Sequence, residues 1–279
     1  MAGSRGVRDC RRALRAHPDG RPRIMGIVNC TPDSFHPASR SIDLELTKQM
    51  LAEEVDWIDI GGESTRPGAD FVPVDEELNR VIPLIKELRK ISDSWISIDT
   101  RRPEVAAAAL DAGADMVNDV SGLRNPEMMQ LVVNRGCAVC IMHMQGEPSN
   151  MQNNPTYEDV FDEVYSELLS KARELVKAGH DAEKIVLDPG FGFGKNLQHN
   201  LKLLQKIERG DEGFAILWGV SRKSMIGTIT GRKDSSERLP GTLAVAMHAQ
   251  RLGVDILRVH DVAEHTDVAK MLSAIERGV

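Results

Sequence analysis

The 279-residue sequence has few cysteines, no excess of positive charge and no long apolar run, and each lack closes off a class of protein. Four cysteines in a chain of this length make no disulfide framework. Cys137 and Cys140 form a C-x-x-C, but Cys-Ala-Val-Cys-Ile-Met reads as a buried strand, where an offset of three puts the two thiols on opposite faces. They therefore share neither a metal nor a disulfide, and no second pair completes a zinc site. A net charge of -7 argues against general affinity for nucleic acid or an anionic membrane. No apolar stretch approaches the length of a membrane span. Arg5, Arg8, Arg11, Arg12 and Arg15 flank no apolar core of a signal peptide, and Asp9 and Asp19 interrupt them as a transit peptide, so a cytoplasmic location is expected. A hydrolytic metal site is also poorly supported. His143, His248 and His260 are scattered, H-E-x-x-H is absent, and His248 lies within an apolar helical run at 243–252.

What the chain does contain is a repeated pattern. A hydrophobic fraction of 41% and a charged fraction of 28% are those of an ordinary globular protein. Eight short apolar runs each end in a polar or glycine-rich loop: 24–28, 57–60, 95–98, 116–117, 138–142, 185–187, 215–220 and 256–259. Helical signals fill the intervals. Pro103 and Pro126 stand at first helical positions, and Gly113 and Gly136 stand just past the corresponding ends. Thr156 with Asp159 resembles a capping box ahead of the stripe Tyr157, Val160, Phe161, Val164, Leu168, Leu175, Val176. Pro83 interrupts the stripe Leu78, Val81, Ile82, Ile85, Leu88 and is expected to kink that helix. Eight strand-helix units over this length predict an α/β protein, a single-domain (β/α)8 barrel spanning 23–279 rather than an open doubly wound sheet. Residues 1–22 are an N-terminal extension, expected to form a hairpin or a plug across the bottom.

The most informative stretch is Ile185-Val-Leu-Asp-Pro-Gly-Phe-Gly-Phe-Gly-Lys195, a buried run, a carboxylate and a glycine-rich loop with two aromatic faces, Phe191 and Phe193, for a flat ligand. Its spacing fits neither a P-loop nor G-x-G-x-x-G. In a barrel, residues following the strands meet at one mouth, so Asn29, Glu63, Asp99, Asn118, His143, Asp188, Lys223 and His260 form a predicted ring. Asp99, Asn118 and Asp188 offer acceptors to a planar N–H-rich edge such as a pterin or guanine. Arg222, Lys223, Arg258 and His260 bring donors and positive charge after strands seven and eight, where barrels commonly hold phosphate. The combination suggests a flat heterocycle carrying an anion. Two long polar loops, 29–40 and 61–68, carry Asp33, Phe35 and Arg66 over the mouth, where they can close on a second substrate.

From about Arg23 onward, the ordered motifs Gly26-Ile-Val-Asn-Cys-Thr-Pro-Asp-Ser-Phe35, Asp59-Ile-Gly-Gly-Glu-Ser-Thr-Arg-Pro-Gly68, Ser97-Ile-Asp-Thr100, Asn118-Asp-Val-Ser-Gly122, Met142-His-Met-Gln-Gly146, the 188–195 loop, Gly219-Val-Ser-Arg-Lys-Ser224 and Arg258-Val-His-Asp261 resemble dihydropteroate synthase. The resemblance implies condensation of 6-hydroxymethyl-7,8-dihydropterin pyrophosphate with p-aminobenzoate, assisted by Mg2+, in a homodimer. It implies a pterin site at Asp99, Asn118, Met142, Asp188, Phe193, Gly219 and Lys223. Asn29, Thr65, Arg258 and His260 would lie on the pyrophosphate side, with Asn29 at the metal. Phe35, Arg66, Pro67 and Ser224 would receive p-aminobenzoate, and Asp33, Arg66, Asp99, Asp188 and Lys223 are the implied catalytic set. The chain departs from the family after Phe35, where His36-Pro37-Ala38-Ser39-Arg40 replaces a Ser and Asp-Gly-Gly; two lost glycines and a gained proline are expected to stiffen the loop. Two other functions compete: a pterin-binding methyltransferase barrel, and a non-catalytic pterin-binding homologue. The barrel leaves no room in these residues for a fused pyrophosphokinase.

Overall fold

The computed structural model describes residues 8–30, 37–64, 72–147 and 150–278. Eight parallel strands close into a barrel in chain order: β1 (Arg23–Asn29), β2 (Trp57–Gly61), β3 (Trp95–Asp99), β4 (Met116–Asp119), β5 (Ala138–Met142), β6 (Ile185–Asp188), β7 (Ala215–Trp218) and β8 (Ile256–Val259). β1 pairs with both β2 and β8, which removes the sheet edge. Helices α1 (Pro37–Ala52), α2 (Val74–Ile91), α3 (Pro103–Ala112), α4 (Pro126–Arg135), α5 (Val160–Lys177) and α6 (Leu197–Leu203) follow the first six strands. Two helices rather than one follow β7, α7 (Ser224–Thr230) and α8 (Leu239–Arg251), and α9 (Val262–Arg277) follows β8.

Local chemistry explains the helix boundaries. Pro103 and Pro126 open α3 and α4, while Gly113 and Gly136 end them in the left-handed conformation at φ 116° and 58°. The capping box expected at Thr156 is not formed. Asp159 caps α5 instead, accepting from the backbone N–H groups of Phe161 and Asp162, so the helix begins at Val160. α2 runs from Val74 to Ile91 as one element with Pro83 inside it. Pro37 stands at the first position of α1, where its missing N–H removes no intrahelical bond; 37–40 are therefore helical rather than loop.

Strand parity divides the core into two. Ile58, Ile60, Ile96, Ile98, Val117, Val139, Ile141, Leu187 and Ile216 point outward into one cluster with the helices. Met25, Trp57, Met116, Ala138, Cys140, Val186, Ala215, Leu217 and Ile256 point inward as an apolar floor. Cys137 lies in the outer cluster and Cys140 in the inner one, and all four cysteines are buried free thiols. The segment before β1 is a plug. Its 3-10 turn Arg11–Leu14 presses Cys10, Ala13 and Leu14 onto the floor, and the Trp57 indole N–H donates to the Ala13 carbonyl at 2.8 Å. Arg8 fastens it by donating to both oxygens of buried Asp115 and lying 4.2 Å over the Trp95 ring.

Candidate active site

Above the apolar floor the inward positions become polar. Asp59, two residues along β2 from Trp57, is fully buried, and its Oδ2 accepts from Arg258 Nε at 2.6 Å and Asn118 Nδ2 at 3.2 Å. Asp99, at the end of β3, accepts from Arg258 Nη2 at 2.6 Å. One guanidinium on β8 thus bridges carboxylates on β2 and β3. Burial works against its charge, but Asp59 and Asp99 outweigh that and raise the Arg258 pKa. Burial pushes the Asp99 carboxyl up to about 7, with Arg258 opposing and Asp59 reinforcing the rise. Asp59 Oδ1 and the nearby inward Ser97 Oγ are buried with no hydrogen-bond partner among the described residues. Buried acceptors left in this state suit a ligand that brings N–H groups.

Asp188 ends β6 on the other side of the lumen. Its Oδ1 accepts from Gly190 N at 2.8 Å, its backbone carbonyl accepts from His143 N at 2.9 Å, and its Oδ2 lies where a Cβ on Gly219 would stand 3.7 Å away. Burial raises its pKa, against the Gly190 N–H and the charges of Lys223, Arg258 and Lys195. The loop after it turns through positive φ at Gly190, Gly192 and Gly194. A Cβ on Gly190 would stand 2.0 Å from the His143 carbonyl oxygen, so only glycine fits there. Phe193 packs on the cluster of Val120, Met142, Met144 and Met151, and Lys223 Nζ lies 4.4 Å over its ring. Lys223 itself comes from a braced turn. Arg222 adopts φ 55°, donates its backbone N–H to Thr242 Oγ1 at 3.1 Å and pairs its guanidinium with Asp261. His260 Nδ1 meets Ser221 Oγ at 3.0 Å. The result is a pocket with carboxylates on β2, β3 and β6, cations on β8 and after β7, and an aromatic-methionine wall.

Comparison with known proteins gives this geometry a family. Residues 25–260 match the family described as pterin binding enzyme. The chain is 43% identical over 258 residues to a dihydropteroate synthase of Haemophilus influenzae, covering 91% of this chain and 94% of the relative. A Burkholderia cenocepacia dihydropteroate synthase complexed with 7,8-dihydropteroate superposes with a TM-score of 0.85 at 44% identity, covering 92% of each chain. A Xanthomonas albilineans dihydropteroate synthase with 4-aminobenzoic acid gives 0.85 at 42% identity, covering 92% of this chain and 93% of that one. This chain belongs to the pterin-binding enzymes.

Of the residues that the resemblance to dihydropteroate synthase brings to the pterin site, Asp99, Asn118, Met142, Asp188, Phe193, Gly219 and Lys223 gather around this one pocket. Arg258, expected on the pyrophosphate side, donates to Asp59 and Asp99, and His260, expected there too, lies beside Ser221. Asn29 is exposed at the end of β1, opposite Gly61, and Ser224 begins α7. Asp33, Phe35, Thr65, Arg66 and Pro67 lie outside the described residues.

Two members of the predicted ring do not face the pocket. Glu63 turns to Arg101 and Arg102, pairing at 3.2 and 3.0 Å, and accepts from Val72 N. His143, one residue beyond inward Met142, is buried against Lys195 and Glu167. Phe191 is also unavailable to a ligand, being buried edge-on against Trp218 at 5.1 Å. Asp59 was missed because it sits inside an apolar run rather than after it. Its signal is parity, since Trp57, Asp59 and Gly61 share one face of β2.

Proposed function

We propose that this pocket binds the dihydropterin ring and that the chain acts as a dihydropteroate synthase. The methylene carbon of 6-hydroxymethyl-7,8-dihydropterin pyrophosphate loses its bond to the pyrophosphate oxygen and gains one to the amine nitrogen of p-aminobenzoate. Pyrophosphate leaves with the bonding pair, and the amine proton is released as 7,8-dihydropteroate forms. The shared activity of relatives aligned over nine-tenths of the chain supports this reading. The observation that carries it is the buried set Asp59, Asp99, Asn118 and Asp188 near Arg258, with Asp59 Oδ1 and the neighbouring Ser97 Oγ unfilled among the described residues.

Departure of pyrophosphate leaves positive charge spread over an electron-rich ring. Carboxylates fixed around that ring stabilise the charge without having to reorganise. Asp188 offers Oδ2 to ring N–H donors because Gly190 already occupies Oδ1. Lys223 and Phe193 line the pocket beside it. Arg258 holds the Asp59 and Asp99 side chains in place by donating to one oxygen of each. The arylamine is a neutral nucleophile at neutral pH and needs positioning more than deprotonation.

Mg2+ takes oxygen ligands and is often held by one or two protein groups together with substrate phosphates. Among the described residues no cluster of three or more His, Cys, Asp or Glu forms a cage for it. The amide oxygen of exposed Asn29 fits that sparse mode, and we assign it there, where the ion supplies charge neutralisation to the pyrophosphate. A homodimer is part of the same proposal, supported by exposed Ile229 on α7 and by Met271 and Ile275 one turn apart on α9. So is a cytoplasmic setting, supported by four buried, unpaired cysteines. Pyrophosphate release with Mg2+, measured with and without p-aminobenzoate, tests the reaction. Release coupled to dihydropteroate formation is expected. Tight pterin binding without product would point to a methyltransferase-type or non-catalytic barrel.

A further inference from the structure

Lys195 carries a charge that the reaction above does not use. It is buried, and its Nζ lies 2.9 Å from the Phe193 carbonyl, 3.1 Å from that of Gly190, 3.3 Å from that of His143 and 2.9 Å from His143 Nδ1. An ammonium has three hydrogens and no lone pair, so His143 Nδ1 must be the acceptor. That fixes the imidazole proton on Nε2, which faces Glu167 Oε2 at 3.4 Å. The three backbone units gripped by Lys195 are those that hold Asp188 and the pocket wall. His143 N donates to the Asp188 carbonyl, Gly190 N donates to the Asp188 carboxylate, and the Phe193 ring lies under Lys223.

We infer that Lys195 is a positioning residue for the pterin: its ammonium clamps the carbonyls of His143, Gly190 and Phe193, and thereby aims the Asp188 carboxylate and the Phe193 ring into the pocket. The inference rests on the pterin reading of that pocket. A neutral amine has only two hydrogens and loses part of this grip, so the clamp is sensitive to protonation. Burial pushes Lys195 down to about 7; Asp188 on β6 and Glu167 on α5 hold it up, and Lys223 after β7 adds to the fall. The other ionisable groups around it are His143, lowered mainly by burial, Tyr157 after β5, raised mainly by burial, and His199 on α6, lowered mainly by burial. The part of the pterin affinity that depends on the clamp should therefore fall as pH rises through about 7, beside the separate ionisation of Asp99 in the same range.

The test is calorimetric titration with 6-hydroxymethylpterin, which carries no phosphate, from pH 6 to pH 9. Glu167 is two-thirds exposed and outside the pocket, so Glu167→Gln should fold normally. Removing its charge lowers the Lys195 pKa, and the fall in affinity should move to lower pH with the acid-limit affinity unchanged. The ligand's own titration is common to both proteins and cannot produce such a difference. Lys195→Met should weaken binding about tenfold at the acid limit, as for loss of a hydrogen bond to a charged group, and remove the part of the profile that Glu167→Gln shifts. Coincident profiles for wild type and Glu167→Gln would overturn the inference even if Lys195→Met did not fold. So would wild-type affinity in a folded Lys195→Met. A wild-type chain that binds no pterin would overturn the pocket reading itself, and the clamp with it.

Discussion

Asp188→Asn isolates the charge of one pocket residue with little change of shape. Asparagine keeps one amide oxygen, and that oxygen can still accept from Gly190 N, the bond now made at 2.8 Å, so the loop after β6 should hold its course. What changes is the other atom, beside Gly219, where an acceptor oxygen becomes an NH2 donor. A ring edge of N–H groups then loses a charge-assisted hydrogen bond and meets a donor instead. Such a bond contributes about 1.5–3 kcal/mol, which corresponds to about 10- to 150-fold in affinity. In the proposed reaction the same carboxylate stabilises the developing cation, so turnover should fall together with affinity rather than KM alone changing. The assay is calorimetry with 6-hydroxymethylpterin beside steady-state dihydropteroate formation, with a thermal melt to show that the variant folds. A folded Asp188→Asn with unchanged affinity and turnover would refute this placement of the pterin edge.

Asp99 supplies a pH prediction. The unfolded carboxyl ionises near about 3.9, and the folded one near about 7, so the native state holds the proton more tightly. This group therefore withdraws stability as pH rises from about 4 to about 7, and Asp99→Asn should flatten that part of the urea midpoint profile. An unchanged slope would contradict it. Gly136 and Gly190 form a natural pair for denaturation. Gly136→Ala meets open space at φ 58° and should cost about 1–2 kcal/mol from backbone strain. Gly190→Ala adds a Cβ 2.0 Å from the His143 oxygen and should cost more while weakening pterin binding; equal costs would mean that the loop yields. Leu14→Ala empties a fully buried site against the floor and should cost about 2–5 kcal/mol in urea denaturation. Pterin affinity should stay near wild type, because the plug and the pocket lie at opposite ends of the barrel.

The strands were legible because parallel strands buried on both faces read as short apolar runs, and all eight fall where those runs lie. The site was legible only where a polar residue continues the inward parity of its strand. Asp99, Asn118 and Asp188 do so. His143 follows Met142 by a single step, and that odd offset sends it out of the lumen while Met142 pairs in register with Asp188. Glu63 lies two residues past the end of β2, where strand parity no longer governs direction, and arginines on a neighbouring loop claim it. The cap of α5 was misplaced by three residues because both Thr156 and Asp159 are competent caps. Only tertiary context decides between them, since Thr156 N is already engaged by Gln145 Oε1.

The same parity explains why the pocket can be so highly charged without unmaking the fold. β2, β4, β6 and β8 each place their first inward residue on the floor and the next, polar one in the pocket, so apolar packing beneath fixes the direction of the polar groups above. Asp59 shows the division most sharply. Trp57 below it is held by the N-terminal plug, and Arg258 above takes one of its oxygens. The other oxygen is buried with no partner among the described residues, an arrangement that favours a ligand able to donate to it. Stability is thus withheld at the acceptors of the proposed ring site and recovered from the plug and floor beneath them.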